Sequence, residues 1–343
     1  MISRGNALLF IACATLSGCS PFGRKSEPKE LFPADSLSRS IAQAISPDTL
    51  ILNYRLDGGE DSYLSSILFG SDTVVWVGDL GRHTIRQFTL GGAELDPITG
   101  FAFPYLVGER TDTVAVYDAG LNRLVSVFDT TIGLALPPTV SETAALPRQV
   151  SILDRVAYLK DVAGPGAVLY RLTGPSVETV AALPGPTWRH HGVLKPWRGK
   201  LASFSSYRPI VYTFDPGSGL DSMRLTGFDS PMLARGRAYA LGSVDEPPLM
   251  ISGVHVAQDH LYVINVRPGI LRLDVFDPNG RLVRVLQFEE PEPSGFTPVG
   301  LVVWSEGDSS YAIVASVSSV YGPLSLRYAS RLDRFAFPAS ESD

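Results

Sequence analysis

Five cationic side chains recur at comparable places along the sequence and could together bind an anion. Arg82, Arg123, Lys160, Arg208 and Arg267 each follow a short apolar phrase. Arginine forks suit carboxylate and phosphate groups, and several cations around one opening draw an anion into it. If the five segments share one rim, the sequence predicts a positive ligand-binding site on an otherwise acidic protein. The alternative is that each cation bonds the loop carbonyls or an aspartate of its own segment.

The histidines do not form a recognisable set of metal ligands. His190 and His191 are adjacent, and neighbouring residues of a strand point to opposite faces. His255 and His260 lie on either side of a predicted turn, and His83 stands alone. We expect these side chains to be exposed or hydrogen-bonded, and we predict no metal site and no cofactor.

Sequence motifs of common catalytic and calcium sites are missing. No GxSxG, HExxH, Walker-type or EF-hand pattern occurs. The segment 277–280 begins like a calcium loop, but Leu282 and Val283 stand where ligands should follow, so we interpret it as a hairpin turn. Asp79 and Asp118 end two apolar phrases, and we interpret them as ties between loops. No catalytic residue is predicted.

The N-terminal segment has the pattern of an export signal. Arg4 precedes an apolar run over residues 7–16, which is too short to cross a bilayer as a helix but fits the hydrophobic region of a signal peptide. The following Leu-Ser-Gly-Cys, residues 16–19, resembles the lipobox of bacterial lipoproteins. The resemblance implies cleavage before Cys19 and diacylglycerol on its thiol, whereas an ordinary signal peptide with a chance cysteine is the alternative. Ser20 is not the aspartate that commonly retains lipoproteins at the inner membrane, which favours the outer membrane, facing the periplasm.

Composition limits the partners and the covalent chemistry. The full chain has 29 basic and 35 acidic residues, and removal of residues 1–18 takes away one arginine and no acid, which leaves 28 against 35, or −7. This acidity argues against nucleic acid as a partner. Cys19 would be the only cysteine of the mature chain, so we expect no disulfide and no thiolate metal site.

A repeat of forty-odd residues organises the rest of the chain. Apolar phrases centred on Val75, Ala115, Ala157, Ala202, Tyr262 and Ala312 are separated by 40, 42, 45, 60 and 50 residues. Each is followed by a second strand-like phrase and often by a turn, and we interpret the first phrase of each unit as its inner strand. Units of this length with about four short strands are typical of β-propeller blades.

The repeat predicts an all-β, six-bladed β-propeller behind a lipoprotein signal peptide and a flexible tether. A strand over residues 50–56 is expected to pair with the last blade and close the ring, and the long step leaves a loop insertion around residues 229–248. The predicted segments are a signal peptide (1–18), a lipid-anchored tether with at most a short helix (19–46), the propeller (47–338) and a C-terminal tail (339–343). A β-sandwich or a solenoid is the alternative.

Three units resemble NHL-type repeats. Asp79, Gly81 and His83 to Ile85 with Phe88 have the pattern, as do Asp118, Gly120 and Asn122 to Leu124 with Phe128. The Leu261–Leu286 unit is similar. Together they resemble the six-bladed propeller lipoproteins of bacteria, whose functions are mostly unassigned, and the likeness runs over roughly residues 47–338.

These features favour a non-enzymatic binding module, fixed to a membrane through its lipid, for a small anionic ligand or a protein of the cell envelope. The alternative is a periplasmic propeller-type hydrolase or lyase, similar to lactonases, with a metal bound in the channel. Such an enzyme would need several acidic, asparagine or histidine ligands near the propeller axis, and the sequence supplies an incomplete set.

Overall fold

A computed structural model describes residues 35–70, 73–110, 113–128, 133–136, 149–162, 166–174, 176–290, 295–321 and 326–339. The predicted signal peptide and Cys19 lie outside these residues. In the ranges given above, no helix is both long enough and apolar enough to cross a membrane.

Six antiparallel sheets follow one another along the chain, as expected for a six-bladed propeller. The first four blades are simple four-stranded meanders. Blade 1 contains β3 (Leu64–Phe69), β4 (Val74–Asp79), β5 (Thr84–Thr89) and β6 (Glu94–Ile98). Blade 2 contains β7 (Pro104–Arg110), β8 (Thr113–Asp118), β9 (Arg123–Ser126) and β10 (Gly133–Ala135). Blade 3 contains β11 (Gln149–Leu153), β12 (Val156–Asp161), β13 (Ala167–Thr173) and β14 (Ser176–Leu183). Blade 4 contains β15 (Leu194–Trp197), β16 (Lys200–Phe204), β17 (Ile210–Asp215) and β18 (Gly219–Arg224).

The last two blades each take a strand from the start of the body. Blade 5 contains β19 (Ile251–Ala257), β20 (His260–Asn265), β21 (Ile270–Phe276) and β22 (Leu282–Glu289), with β1 (Asp48–Thr49) in parallel at its outer edge. Blade 6 contains β23 (Thr297–Glu306), β24 (Ser309–Tyr321) and β25 (Leu326–Pro338), and β2 (Ile51–Glu60) is its outer strand. The antiparallel register runs from Ile51 opposite Ala336 to Glu60 opposite Ala329. The predicted closing strand is therefore confirmed.

The phrases that we interpreted as inner strands are the second strands of the blades, so that interpretation was wrong. The central cavity is lined mainly by the first strands, β3, β7, β11, β15, β19 and β23. Second strands pack against the neighbouring blades on both faces, which makes them the most continuously apolar: Val75 to Asp79 are all buried. First strands border the channel and contain more polar residues. Their apolar pattern is therefore weaker, and they are harder to recognise as strands from the sequence.

The hydrophobic core is divided among the interfaces between blades. In β4, Val77 packs toward blade 6 and the preceding Trp76 packs toward blade 2. The same alternation fills the interfaces between blades 2 and 3 and between blades 3 and 4. Each blade therefore needs a neighbour on both sides to bury its side chains.

Two helices lie outside the blades. α1 (Asp35–Ala44) packs through Ile41 against the interface of blades 4 and 5, and its Ser38 hydroxyl accepts a hydrogen bond from the Gly227 amide at 3.2 Å. α2 (Leu233–Ala240) lies in the insertion that we expected to be a loop. Its alanines and arginines favour a helix, and Leu233 packs on the same interface, which provides the apolar contact that a short helix needs.

We expect deletion of β2 to abolish cooperative unfolding. In a chain that begins at residue 61, β25 still pairs with β24 but has no partner for the backbone groups on its outer side. Thermal unfolding followed by circular dichroism should then show a broad transition at a much lower temperature. A chain that begins at residue 51 also lacks α1 and β1 but keeps β2, and it is the control. A sharp, unshifted transition in the shorter chain would contradict this role of β2.

Candidate functional site

The five predicted cations lie at one end of the propeller. Each is at the end of a second strand, in the turn that follows, or at the start of the third strand. Because all blades have the same strand order, these positions are on the same face. Their surroundings nevertheless divide them into two groups.

Arg82, Arg123 and Arg267 make local contacts. Arg82 is exposed, and its backbone amide donates to the Asp79 carboxylate at 3.1 Å. Arg123 lies against Gly133 of the outer strand of its own blade. The Arg267 guanidinium donates to the Asp229 carbonyl and lies 3.4 Å from the carboxylate of the same residue. None of the three lines the central cavity.

Lys160 is a fully buried ammonium group without an anionic partner in the described part of the chain. It lies near the end of β12, and its Nζ donates to the Ser203 hydroxyl of blade 4 at 3.0 Å and to the Gly192 carbonyl at 3.4 Å. Both acceptors are neutral. Burial lowers the pKa of Lys160 from the ordinary 10.5 to about 7.

Arg208 is also fully buried, in the loop between β16 and β17. Its guanidinium carbon lies 6.0 Å from the centre of the Trp188 ring, at the outer limit of a cation–π contact. The Tyr212 hydroxyl interacts with the guanidinium, but without the alignment of a full hydrogen bond, so none of the three nitrogens has a well-aligned acceptor among the described residues. Burial lowers the pKa of Arg208, and no carboxylate among those residues compensates its charge.

A 3₁₀ turn over Thr187–His190 covers this region and links the two cations. The pKa of His190 is lowered to about 4, first by burial and then by the charges of Lys160, Arg208 and Arg189. His190 is therefore neutral at physiological pH, and its Nε2 hydrogen-bonds the Pro184 carbonyl at 2.9 Å. We call Lys160, Arg189, His190 and Arg208 the cation cluster.

An aromatic contact joins the Thr187–His190 turn, which is the cover of the cation cluster, to α2. Trp188 and Tyr239 of α2 meet edge to face, with ring centres 5.0 Å apart. The insertion between blades 4 and 5 therefore supports the turn above the cation cluster. The sequence singled out Lys160 and Arg208 as cations, but its pattern did not indicate that they meet the segment containing Trp188.

The central channel contains a polar group that sequence reasoning missed. Its cavity has a volume of about 200 Å³, and Lys195 of β15 is the one charged residue among those that line it in the described structure. Burial lowers the pKa of Lys195, and the Lys195 charge contributes to lowering the pKa of the nearby His255 to about 3. The sequence feature that could have revealed this group is a lysine in the short apolar segment Leu194–Trp197. Sequence analysis did not identify this segment as a strand that faces the channel.

The two aspartates that we interpreted as loop ties make such contacts. The Asp79 carboxylate accepts hydrogen bonds from the Tyr63, Gly81 and Arg82 amides at 3.0–3.1 Å. The Asp118 carboxylate accepts from the Ala102 and Phe103 amides, both at 3.0 Å. Each carboxylate holds together the loops at one end of its own blade.

The described residues do not fit a channel-bound metal. None of the residues lining the cavity is an aspartate, a glutamate or a histidine, and no group of three such side chains or cysteines lies close enough together elsewhere in the described ranges. The His260 Nδ1 hydrogen-bonds the Gln258 carbonyl at 2.9 Å, and the His83 Nδ1 contacts the Ala102 carbonyl. These contacts agree with the expectation of hydrogen-bonded histidines.

We expect Lys160 to make the protein more stable as the pH rises from about 7 to 10.5. In this window the unfolded lysine binds a proton that the folded lysine has lost, so the free energy of unfolding increases with pH. The wild type should therefore gain stability relative to Lys160→Met, measured by chemical denaturation at several pH values. Lys200→Met, which changes a lysine paired with Asp215 at 3.5 Å, is the control. A stability difference that does not depend on pH would contradict the lowered pKa.

Comparisons with known proteins identify the fold. No family model matches the sequence, and no curated relative is detected. A catalytically inactive virginiamycin B lyase from Staphylococcus aureus, solved with quinupristin, has 11% identity and a TM-score of 0.51 over 83% of this chain and 99% of that chain. A protein of unknown function from Bacteroides thetaiotaomicron has 12% identity and a TM-score of 0.51 over 84% and 75% of the two chains. At these identities the likeness shows the fold alone: the chain is an all-β, six-bladed β-propeller.

Proposed function

We propose that the chain is a lipid-anchored envelope protein whose propeller is a non-enzymatic binding module for a small anion. The observation that carries the proposal is Arg208, a fully buried guanidinium whose nitrogens lack aligned acceptors in the part of the chain that the structure describes. A buried charge without a partner costs several kcal/mol, and native proteins rarely leave such groups unsatisfied. An anion that binds Arg208 would remove this cost.

Lys160 and His190 favour an anion with more than one charged oxygen. Lys160 is the second buried cation of the cluster, and its hydrogen-bond acceptors among the described residues are both neutral. A guanidinium fork can bind two oxygens of one group while the ammonium binds a third or a second group. Phosphate and small dicarboxylates have this chemistry, and neutral His190 can complete the site without adding charge.

Access to the cluster requires movement of its cover. Lys160 and Arg208 have no exposed surface, so a ligand reaches them when the Thr187–His190 turn lifts away. The Trp188–Tyr239 and His190–Tyr212 contacts, each with ring centres 5.0 Å apart, support that turn. Binding is therefore expected to be slower than diffusion would allow.

The anion site can be tested by thermal unfolding of the mature chain carrying Cys19→Ser. Phosphate or succinate should raise the melting temperature of this chain by a few degrees, since an anion that binds only the folded state stabilises it. Chloride at the same ionic strength should have a smaller effect. Arg208→Met should remove the phosphate effect and, in anion-free buffer, should leave the protein at least as stable, because it deletes an uncompensated buried charge.

The matched control for this experiment is Arg82→Met, which changes an exposed arginine at the same end of the propeller. This variant should retain the full response to phosphate. Equal responses of the wild type and Arg208→Met, or no response of the wild type to either anion, would refute the anion site. A large loss of stability of Arg208→Met in anion-free buffer would indicate a structural role instead.

Anchoring is a separate part of the proposal and rests on the Leu-Ser-Gly-Cys segment. Lipid on Cys19 would hold the protein at a membrane, because each buried methylene contributes about 0.8 kcal/mol. We expect Cys19→Ala to move the protein from the membrane fraction to the soluble fraction of cells. Ser20→Ala, next to the predicted cleavage site, is the control. Unchanged membrane association of Cys19→Ala would exclude the lipid anchor.

A further inference from the structure

We infer that the central channel is a second ligand site and that it binds a small carboxylate with an apolar body and a neutral hydrogen-bond donor. This site is distinct from the cation cluster of the proposed function, which it does not require. Three features of the described residues support this site: a single charged side chain in the channel, aliphatic walls, and one buried polar atom without a partner.

Lys195 provides the charge. It lies in β15, the first strand of blade 4, and lines the cavity of about 200 Å³. In the described ranges no hydrogen bond or salt bridge of its ammonium group occurs, whereas Lys200 of the next strand pairs with Asp215. An ammonium group in a confined channel without a counter-charge favours the binding of an anion.

The walls of the channel favour an anion with one charge and an apolar body. Its aliphatic lining comes from the first strands of all six blades and includes Ile67, Leu106, Val150, Leu194, Val254 and Leu301. Burial of apolar ligand atoms against these side chains is favourable, whereas a doubly charged phosphate beside a single ammonium would keep an uncompensated charge. A monocarboxylate matches both the single cation and the walls.

Gln149 is the reason why we expect a neutral hydrogen-bond donor on the ligand. It lines the cavity from β11, the first strand of blade 3, which lies next to β15. Its side-chain oxygen is buried without a hydrogen-bond partner in the described structure. A hydroxyl or an amide N–H near the carboxylate of the ligand would satisfy this oxygen while the carboxylate lies against Lys195. The structure therefore points to a hydroxy- or acylamino-substituted aliphatic acid.

Isothermal titration calorimetry of the mature Cys19→Ser chain with 2-hydroxyhexanoate tests the site. Hexanoate lacks the donor and 1,2-hexanediol lacks the charge, so both should bind more weakly, the diol by about tenfold or more. Lys195→Met should weaken binding of 2-hydroxyhexanoate by a similar factor, and Lys195→Arg should retain most of it. Lys200→Met is the matched control and should bind like the wild type.

The outcomes separate this site from the cation cluster. Arg208→Met should bind 2-hydroxyhexanoate normally, so loss of the phosphate response alone concerns only the proposed function. No binding of 2-hydroxyhexanoate to the wild type, equal binding of the diol, or unchanged binding by folded Lys195→Met would overturn the proposal. If Lys195→Met does not fold, as judged by circular dichroism, the comparison of the acid with the diol on the wild type decides the question.

Discussion

The antiparallel pairing of β2 with β25 is the contact on which the rest of the structure depends. Each blade buries its apolar side chains against two neighbours, so an open row of six blades would lose one interface and expose the faces of its two end blades. The pairing places a strand from the start of the body in the last blade and closes the ring. Closure also protects the edges of the sheets and fixes the spacing of the first strands around the channel. The channel and the loops around it are consequences of this one pairing.

The closed ring gives blade 4 its unusual electrostatics. Lys160 enters the interface from blade 3 and donates to Ser203 of β16, while Arg208 follows β16 in the chain. Lys195 of the same blade lines the channel. Three cations are thus held in or around one blade of an acidic protein, and the described residues supply no carboxylate partner to any of them. Such an arrangement lowers the stability of the empty protein, and ligand binding is the physical reason we give for its presence.

The two sites differ in the ligand that they would select. The cation cluster is closed, has two buried cations and a neutral imidazole, and suits an anion with several charged oxygens. Among the described residues, the channel has one ammonium group, aliphatic walls and an unsatisfied amide oxygen, which together suit an amphipathic monocarboxylate. The Thr187–His190 turn, which the Trp188–Tyr239 contact joins to α2, covers only the first site. A binding module with two different anion sites could respond to two ligands, and the variants Arg208→Met and Lys195→Met separate them.

The sequence by itself determined the number of blades, the closing strand and the short helix before the body, because repeat spacing and local apolar patterns carry these features. It also identified Lys160 and Arg208 as candidate ligand-binding cations, although it took the phrases before them for inner strands. It did not reveal which strands border the channel, since strands buried on both faces have stronger apolar patterns than those facing a cavity. Only the tertiary structure separated the buried cations from Arg82 and Arg267, and only it placed Lys195 and Gln149 in the channel. Burial and partners depend on contacts between blades that are distant in sequence, and local residue patterns do not encode those contacts.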